Sequence, residues 1–202
     1  MSKRAKTQEM RSEATRNALI RAGREIFGDI GFYAANVGEL AAAASVTRGA
    51  LYHHFADKTA LFEAVARKVG EDLSEHALAR QAQGKMDWNW AKMGFETRLE
   101  AIAASPQIRR IILVDGPAVL GPERWRKLED EVMIGGGTKF MIKQQAAGRL
   151  IGGDPNTLVR LLVAAMHEAA FIIAQADDPE TARATATEAL LLLVDGLATE
   201  PS

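Results

Sequence analysis

Residues 37–62 read VGELAAAASVTRGALYHHFADKTALF, and this stretch decides the fold. Asn36 and Glu39 stand at the N-cap and N3 positions of a capping box, which predicts a short helix through the alanines that follow. Thr47 is placed to cap a second short helix running from Arg48 to Phe55. Only a turn fits between them, so the stretch predicts two short helices joined by a tight connection.

The rest of the chain also predicts helices. Apolar residues recur at helical spacing, and the alternation typical of strands is almost absent, so we predict an all-α fold. Asp115-Gly116-Pro117 predicts a turn, and the glycines at 135–137 predict a kink or break between 134 and 138. The other predicted helices cover about 12–30, 57–80, 90–104, 106–114, 122–150, 155–176 and 179–197.

Composition narrows the class of protein. The chain has 202 residues, 48% of them hydrophobic and 25% charged, and it has no cysteine, which excludes disulfides and thiolate chemistry. The net charge of −1 divides into +4 on residues 1–68 and −5 on the rest, which indicates a basic part that binds something anionic. Its apolar runs are shorter than the ~18 residues of a membrane span, and no signal peptide is evident, so we expect a cytoplasmic protein with no membrane partner.

Two short helices joined by a turn match the helix-turn-helix arrangement, whose second helix lies in the DNA major groove. Gly49 and Ala50 are small enough to let that helix approach the DNA closely, and Arg48 is long enough to reach guanine or phosphate. Lys58 lies at the next helix start, where free N–H groups already favour an anion. The candidate DNA-binding residues are Thr47, Arg48, Gly49, Ala50, Tyr52, His53, His54 and Lys58.

The run 37–62, preceded by IFGDIGF at 26–32, closely resembles the DNA-binding domain of the tetracycline-repressor (TetR) family over residues 12–65. The resemblance implies a three-helix helix-turn-helix domain followed by a helical ligand-binding and dimerisation domain. It also implies a homodimeric repressor that a small-molecule inducer releases from a palindromic operator. Two residues depart from the family pattern: Asn36 and Ser45 stand where threonine and glycine are more common.

The resemblance also implies roles for single residues. Tyr52, His54 and Lys58 match positions that contact phosphates, whereas Arg48, Ala50 and His53 match positions that read bases. We predict a DNA-binding domain over 1–57, with 1–11 as a flexible basic arm that follows DNA, and an effector-binding and dimerisation domain over 58–202.

The last two predicted helices carry apolar residues on more than one face, so part of each must be buried by a partner. Two such helices from each of two subunits would form a symmetric four-helix interface. The candidate interface residues are Leu161, Ala165, Ala169, Ala186, Leu190, Leu193 and Leu197.

The middle helices are rich in aromatic residues and methionine, which line adaptable apolar pockets as well as cores. We therefore predict an effector pocket there, with core packing as the alternative for some of its residues. The candidates are Trp88, Trp90, Met93, Phe95, Trp125, Met133, Phe140, Met166, His167 and Phe171.

Other functions fit the sequence less well. Adjacent histidines on a helix point about 100° apart, so His53 and His54 make a poor metal site, and we expect no metal and no cofactor. Tyr52 as a core aromatic and Lys58 as an ordinary solvated lysine remain alternatives. An enzyme using His167-Glu168 or Asp115 would need a dense set of titratable groups, which the sequence lacks, so we expect no enzyme. An interaction scaffold that does not bind DNA is the third class.

Overall fold

A computed structural model describes the backbone of residues 3–199 and the side chains of residues 8–199. The chain is all-α, as predicted. Its helices are α1 (Lys3–Ile30), α2 (Val37–Ala43), α3 (Arg48–His54), α4 (Lys58–Gln81), α5 (Trp88–Ala104), α6 (Pro106–Arg109), α7 (Gly116–Glu129), α8 (Gly135–Ala146), α9 (Pro155–Gln175) and α10 (Pro179–Asp195). Two π-helical turns, Arg110–Asp115 and Asp130–Ile134, join α6 to α7 and α7 to α8.

The chain forms two compact units. The first comprises Met1–Val69 together with Pro106–Trp125, and the second comprises Gly70–Ser105 together with Arg126–Ser202. The first boundary, between residues 69 and 70, falls within α4. The segment Pro106–Trp125 belongs with the N-terminal helices although it lies later in the chain. The predicted functional boundary between residues 57 and 58 stays a prediction.

An aromatic cluster anchors the first unit. The rings of Phe27, Phe32 and Phe62 lie with centroids 5.3 to 5.9 Å apart, and Phe27 and Phe62 are fully buried. Leu40 of α2 and Leu51 of α3 are also fully buried, so each short helix is held by its apolar face. Such packing stabilises helices that are too short to be stable alone.

In the second unit, α9 packs against α5, α8 and α10. Its mean hydropathy of 1.7 makes it long and apolar enough to cross a membrane by composition alone. Seven of its residues are nevertheless buried by these neighbours, among them Met166 and Ala170 at 0% exposure. Core packing therefore accounts for the apolar residues on this face of α9, whereas Leu161 and Ile172 on the helix are exposed.

Three details differ from the sequence prediction. Helix α1 begins at Lys3 rather than near Ser12, because the intervening residues are good helix formers without glycine or proline. The backbone stays helical at Gly116, where a Cβ would lie 2.5 Å from Cζ3 of Trp125. The turn comes instead at Gly121, whose φ is 72°.

The predicted break between 134 and 138 is absent, since α8 runs through all three glycines. A Cβ on Gly137 would lie 2.9 Å from Cγ1 of Val159. The glycine thus allows α8 to approach α9 closely. The irregularity occurs one turn earlier, in the π-helical turn Asp130–Ile134.

The turn between α2 and α3 closes with a Schellman arrangement. The N–H of Ser45 donates to the carbonyl of Ala42 and the N–H of Val46 donates to that of Ala41, both at 2.9 Å. This pattern places Ser45 in the left-handed region, with φ of 57°. A serine there bears a cost that glycine would not.

We expect Ser45→Gly to raise the free energy of unfolding by about 0.5–1 kcal/mol, because relief of the left-handed strain exceeds the entropy that glycine gains on unfolding. Denaturant titration measures the change. The matched control is Ala42→Gly, an exposed site three residues earlier inside α2, which should destabilise by about 0.5–1 kcal/mol. Equal destabilisation by both substitutions would contradict the assigned strain.

Candidate nucleic-acid interface and ligand cavity

Both short helices of the first unit are capped as predicted. The Asn36 side chain accepts a hydrogen bond from the N–H of Glu39 at 2.9 Å, and the Thr47 hydroxyl accepts one from the N–H of Ala50 at 3.1 Å. Caps of this kind fix where each helix starts. Because α3 starts at Arg48, Leu51 points into the core and the residues around it point outward.

The outward face of α3 carries the candidate DNA-binding side chains. Thr47, Arg48, Gly49, Tyr52 and His53 are exposed, whereas Ala50 and His54 are partly exposed. Tyr52 has 52% of its surface exposed, which excludes the alternative that it is a core aromatic. The helix thus presents a mixed set of hydrogen-bond donors beside two very small residues.

Arg48 lies against α2. A Cβ on Gly38 would come within 2.5 Å of Nη2 of Arg48, so the absence of a side chain at Gly38 makes room for the guanidinium. The guanidinium of Arg48 therefore rests on the surface against α2, beside α3. A molecule that docks on α3 would lie within its reach.

The two histidines stand edge to face with ring centroids 5.4 Å apart. Burial, then the neighbouring His53 and Arg16, lower the pKa of His54 below its ordinary value. A neutral imidazole can still donate one hydrogen bond to a phosphate oxygen. In the described residues, no group of three or more histidines and carboxylates is arranged to hold a metal ion.

Lys58 is neither free nor simply solvated. Its ammonium donates to the carbonyls of Phe32 and Ala35, both at 2.8 Å, and lies 4.3 Å from the centre of the Phe32 ring. An ammonium has three N–H donors, so one remains for a phosphate. The side chain thus ties the start of α4 to the loop between α1 and α2.

The same loop and the end of α1 are held by residues 107–115. The buried Asp115 carboxylate accepts a hydrogen bond from the N–H of Phe32 at 2.8 Å, and Gln107 donates to the Asp29 side chain at 2.6 Å. Arg110 donates to the carbonyl of Asp29. Asp115 therefore has a structural partner, which argues against its use as an acid or base in an enzyme.

The second unit encloses a largely apolar cavity of about 230 Å³. Four of the predicted pocket residues line it, namely Trp90, Phe95, Met133 and Phe140. The rings of Trp90 and Phe140 stack with centroids 5.5 Å apart. A cavity of about 150 Å³ is enough to hold benzene, so this one is large enough for a substituted aromatic ring.

The other predicted pocket residues lie elsewhere. Trp88 packs edge to face against Phe140, Met93 is 36% exposed, and Met166 is fully buried in the core. Trp125 belongs to the first unit and packs on Gly116. His167 and Phe171 are partly buried on α9 and do not line the cavity.

His167 lies in apolar surroundings, which lower its pKa to about 4. It is therefore neutral at pH 7, and its buried Nε2 atom has no hydrogen-bond partner within the described part of the chain. This environment is that of a core histidine rather than of a catalytic acid or base.

Sequence reasoning missed the polar residues of the cavity. Gln81 and Arg98 both line it, and a Cβ on Gly94 would lie 2.4 Å from Nε2 of Gln81 and 3.2 Å from Nη1 of Arg98. Gly94 inside α5 is the one sequence feature that points to this arrangement, because a glycine within a helix often marks a position that another side chain approaches closely. Periodicity alone does not tell which side chains of neighbouring helices meet there.

The predicted interface residues fall into three groups by their exposure. Ala169, Ala186 and Leu190 are 6%, 8% and 2% exposed, because they pack within the chain, so a partner cannot reach them. Leu161 and Leu193 are 63% and 54% exposed. Ala165 and Leu197 are partly exposed.

Known proteins resemble this chain in both parts. Residues 19–65 match the model of the bacterial regulatory proteins of the tetR family, and residues 88–197 match that of the tetracyclin repressor-like C-terminal domain. The chain belongs to the TetR family of DNA-binding transcriptional regulators. The predicted family is thereby confirmed, and its relatives are named as transcriptional repressors and regulators rather than enzymes.

Individual relatives support this assignment. The transcriptional repressor AcnR of Corynebacterium efficiens is 29% identical over 103 residues, which cover 47% of this chain and 54% of that protein. The match thus spans about half the length of that relative. A TetR-family regulator from Pectobacterium atrosepticum, of known structure, is 33% identical, with coverage of 96% and 98% and a TM-score of 0.73. RolR, solved in complex with resorcinol, shares the fold at 16% identity, with coverage of 96% and 100% and a TM-score of 0.65.

We expect Lys58→Met to lower the free energy of unfolding by about 1–2 kcal/mol, because two carbonyls lose a charged donor. Denaturant titration without DNA measures this. As a control, Lys139→Met on the exposed side of α8 should change it by less than about 0.5 kcal/mol. A lysine that only contacts phosphate would give an unchanged stability, so that result would contradict the structural role.

Proposed function

We propose that the protein is a cytoplasmic, homodimeric transcriptional repressor that binds a near-palindromic operator and is released from it by a small-molecule effector. Residues 1–57 would read DNA, and residues 58–202 would bind the effector and form the dimer. The observation that carries this proposal is the outward face of α3, where Arg48, Tyr52 and His53 are exposed around the buried anchor Leu51.

The side chains of α3 suit two different tasks. Arg48, Ala50 and His53 would face base edges, because an arginine reads guanine and a small side chain admits the helix into the groove. Tyr52, His54 and the remaining N–H of Lys58 would contact phosphates, which position the helix without reading sequence. The residues at 1–7 of the predicted basic arm lie outside the described side chains.

Exposed leucine and isoleucine side chains support the dimer. Leu161 and Ile172 are 63% and 50% exposed and lie eleven residues apart on α9, which is three helical turns and therefore the same face. Leu193 on α10 is 54% exposed. A second copy that covers these residues would form an isologous interface and would present two α3 helices about 34 Å apart.

The cavity of the second unit supports effector binding. Its lining is mostly aromatic and aliphatic, with a few polar groups, which is the usual character of a small-molecule site. Resorcinol, bound by the RolR protein of the same fold, is a small aromatic compound. An effector acts as an inducer only if it binds the DNA-free state more tightly than the DNA-bound state.

Operator selection from a random duplex library tests the proposal. We expect a palindromic site, bound with an affinity that falls steeply as salt rises, because basic side chains displace counterions. Tyr52→Ala should weaken binding to all sequences about equally. Arg48→Ala should relax the preference at one base pair per half-site, by about 1–3 kcal/mol of discrimination. An Arg48 variant that selects the unchanged operator would remove Arg48 from the base-reading set.

We expect Leu193→Glu to produce a monomer by sedimentation and to reduce operator affinity at least tenfold, because one α3 helix makes too few contacts. Ile142→Glu is the matched control: it is 53% exposed on α8, outside the proposed interface, and should leave the dimer intact. Leu190 is unsuitable for this test, since its burial within the chain means that a charge there would unfold the protein. A Leu193 variant that remains dimeric would place the interface elsewhere.

A further inference from the structure

The cavity of the second unit has one polar corner, and three observations define it. Gln81 of α4 is 3% exposed, yet its buried Oε1 atom has no hydrogen-bond partner among the residues that the structure describes. Arg98 of α5 has a buried Nε atom that likewise has no hydrogen-bond partner among the described residues. Both side chains converge on Gly94, where a Cβ would displace them. The remaining lining is mostly apolar.

The orientation of the Gln81 amide is fixed by its surroundings. Its Nε2 atom donates to the carbonyl of Trp90 at 2.6 Å, and a carbonyl can only accept, so the amide nitrogen must face Trp90. The oxygen consequently remains available as an acceptor. A ligand hydroxyl or N–H would satisfy it.

Arg98 is a cation in apolar surroundings. Its Nη1 atom donates to the carbonyl of Gly94 at 2.9 Å, which supplies a dipole but no negative charge. Burial lowers the pKa of the Arg98 guanidinium, and no ion pair of Arg98 is found among residues 8–199. A partly buried cation without a counterion is costly, so an anion that enters the cavity would gain a charge-assisted hydrogen bond and neutralise it.

We propose that the cavity binds a small aromatic carboxylate, with the carboxylate on Arg98, a neighbouring hydroxyl or N–H on Gln81, and the ring against the stacked Trp90 and Phe140. The cavity volume of about 230 Å³ favours a ligand of one or two rings over a long acyl chain. This inference rests on the proposed effector site and adds the chemical class of the effector.

Matched acid and amide pairs test the proposal. Benzoate, 2-hydroxybenzoate and 1-naphthoate are compared with their neutral amides by isothermal titration calorimetry on the full chain. We expect at least one acid to bind at least tenfold more tightly than its amide. We expect Arg98→Met to remove that preference, because the variant should bind the acid less tightly while its affinity for the amide is unchanged. Arg80→Met is the control, since Arg80 pairs with Glu100 outside the cavity, and it should keep the preference.

A second measurement does not depend on ligand affinity. Because Arg98→Met removes a partly buried charge that has no ion pair among residues 8–199, the variant should melt at a higher temperature than the native protein without ligand. The acid should no longer raise its melting temperature. Gln81→Leu should reduce the ratio by which the protein binds 2-hydroxybenzoate more tightly than benzoate. An Arg98 variant that binds the acid as tightly as the native protein overturns the proposal, as does binding of none of the acids at millimolar concentration.

The same samples separate this proposal from the proposed function. If an amide binds and releases the operator while no acid binds, the carboxylate proposal fails and the ligand-responsive repressor stands. If an acid binds through Arg98 but leaves operator affinity unchanged, the carboxylate site stands and effector control of DNA binding fails. Release of the operator by an acid that binds through Arg98 supports both.

Discussion

The loop between α1 and α2 is held by opposite charges that bind the N–H and the carbonyl of one residue, Phe32, and the first unit depends on this arrangement. Phe32 donates its N–H to the Asp115 carboxylate, and its carbonyl accepts from the Lys58 ammonium. The Phe32 ring packs on Phe62 while the same ammonium lies over its face. The position of α2 follows from this loop, and the Schellman turn after α2 then sets where α3 begins. The direction of the α3 side chains is thus linked to Lys58 and Asp115.

Lys58 illustrates how a residue with a structural role can also suit the proposed contact with a phosphate. Two of its three N–H donors are used inside the protein, so the third has a fixed direction. Because the side chain is already ordered, it would lose less conformational entropy on binding a phosphate than a flexible lysine would. Asp115 is held in a comparable way by the N–H of Phe32, although the sequence offered it as a candidate acid. In both cases the backbone partner, far away along the chain, decides what the side chain does.

Much of the first unit could be predicted from the sequence, because its determinants are local. The caps at Asn36 and Thr47, the turn after α2 and the buried face of α3 all depend on residues within a few positions of one another. Glycines misled the prediction in two places. Gly116 and Gly137 make room for Trp125 and Val159 rather than turning the chain, and a close approach between distant segments leaves no local signal.

The sequence by itself determined the helical class, the family resemblance and the exposed polar face of α3, since helical periodicity and capping are properties of neighbouring residues. Only the tertiary structure decided which aromatic residues line the cavity. It separated Trp90 and Phe140 from Trp125 and Met166, and it brought Gln81 and Arg98 together over Gly94. The physical reason is that an apolar side chain on a helix can pack into a solid core or line a cavity with the same local sequence. Only the packing of the neighbouring helices distinguishes the two outcomes.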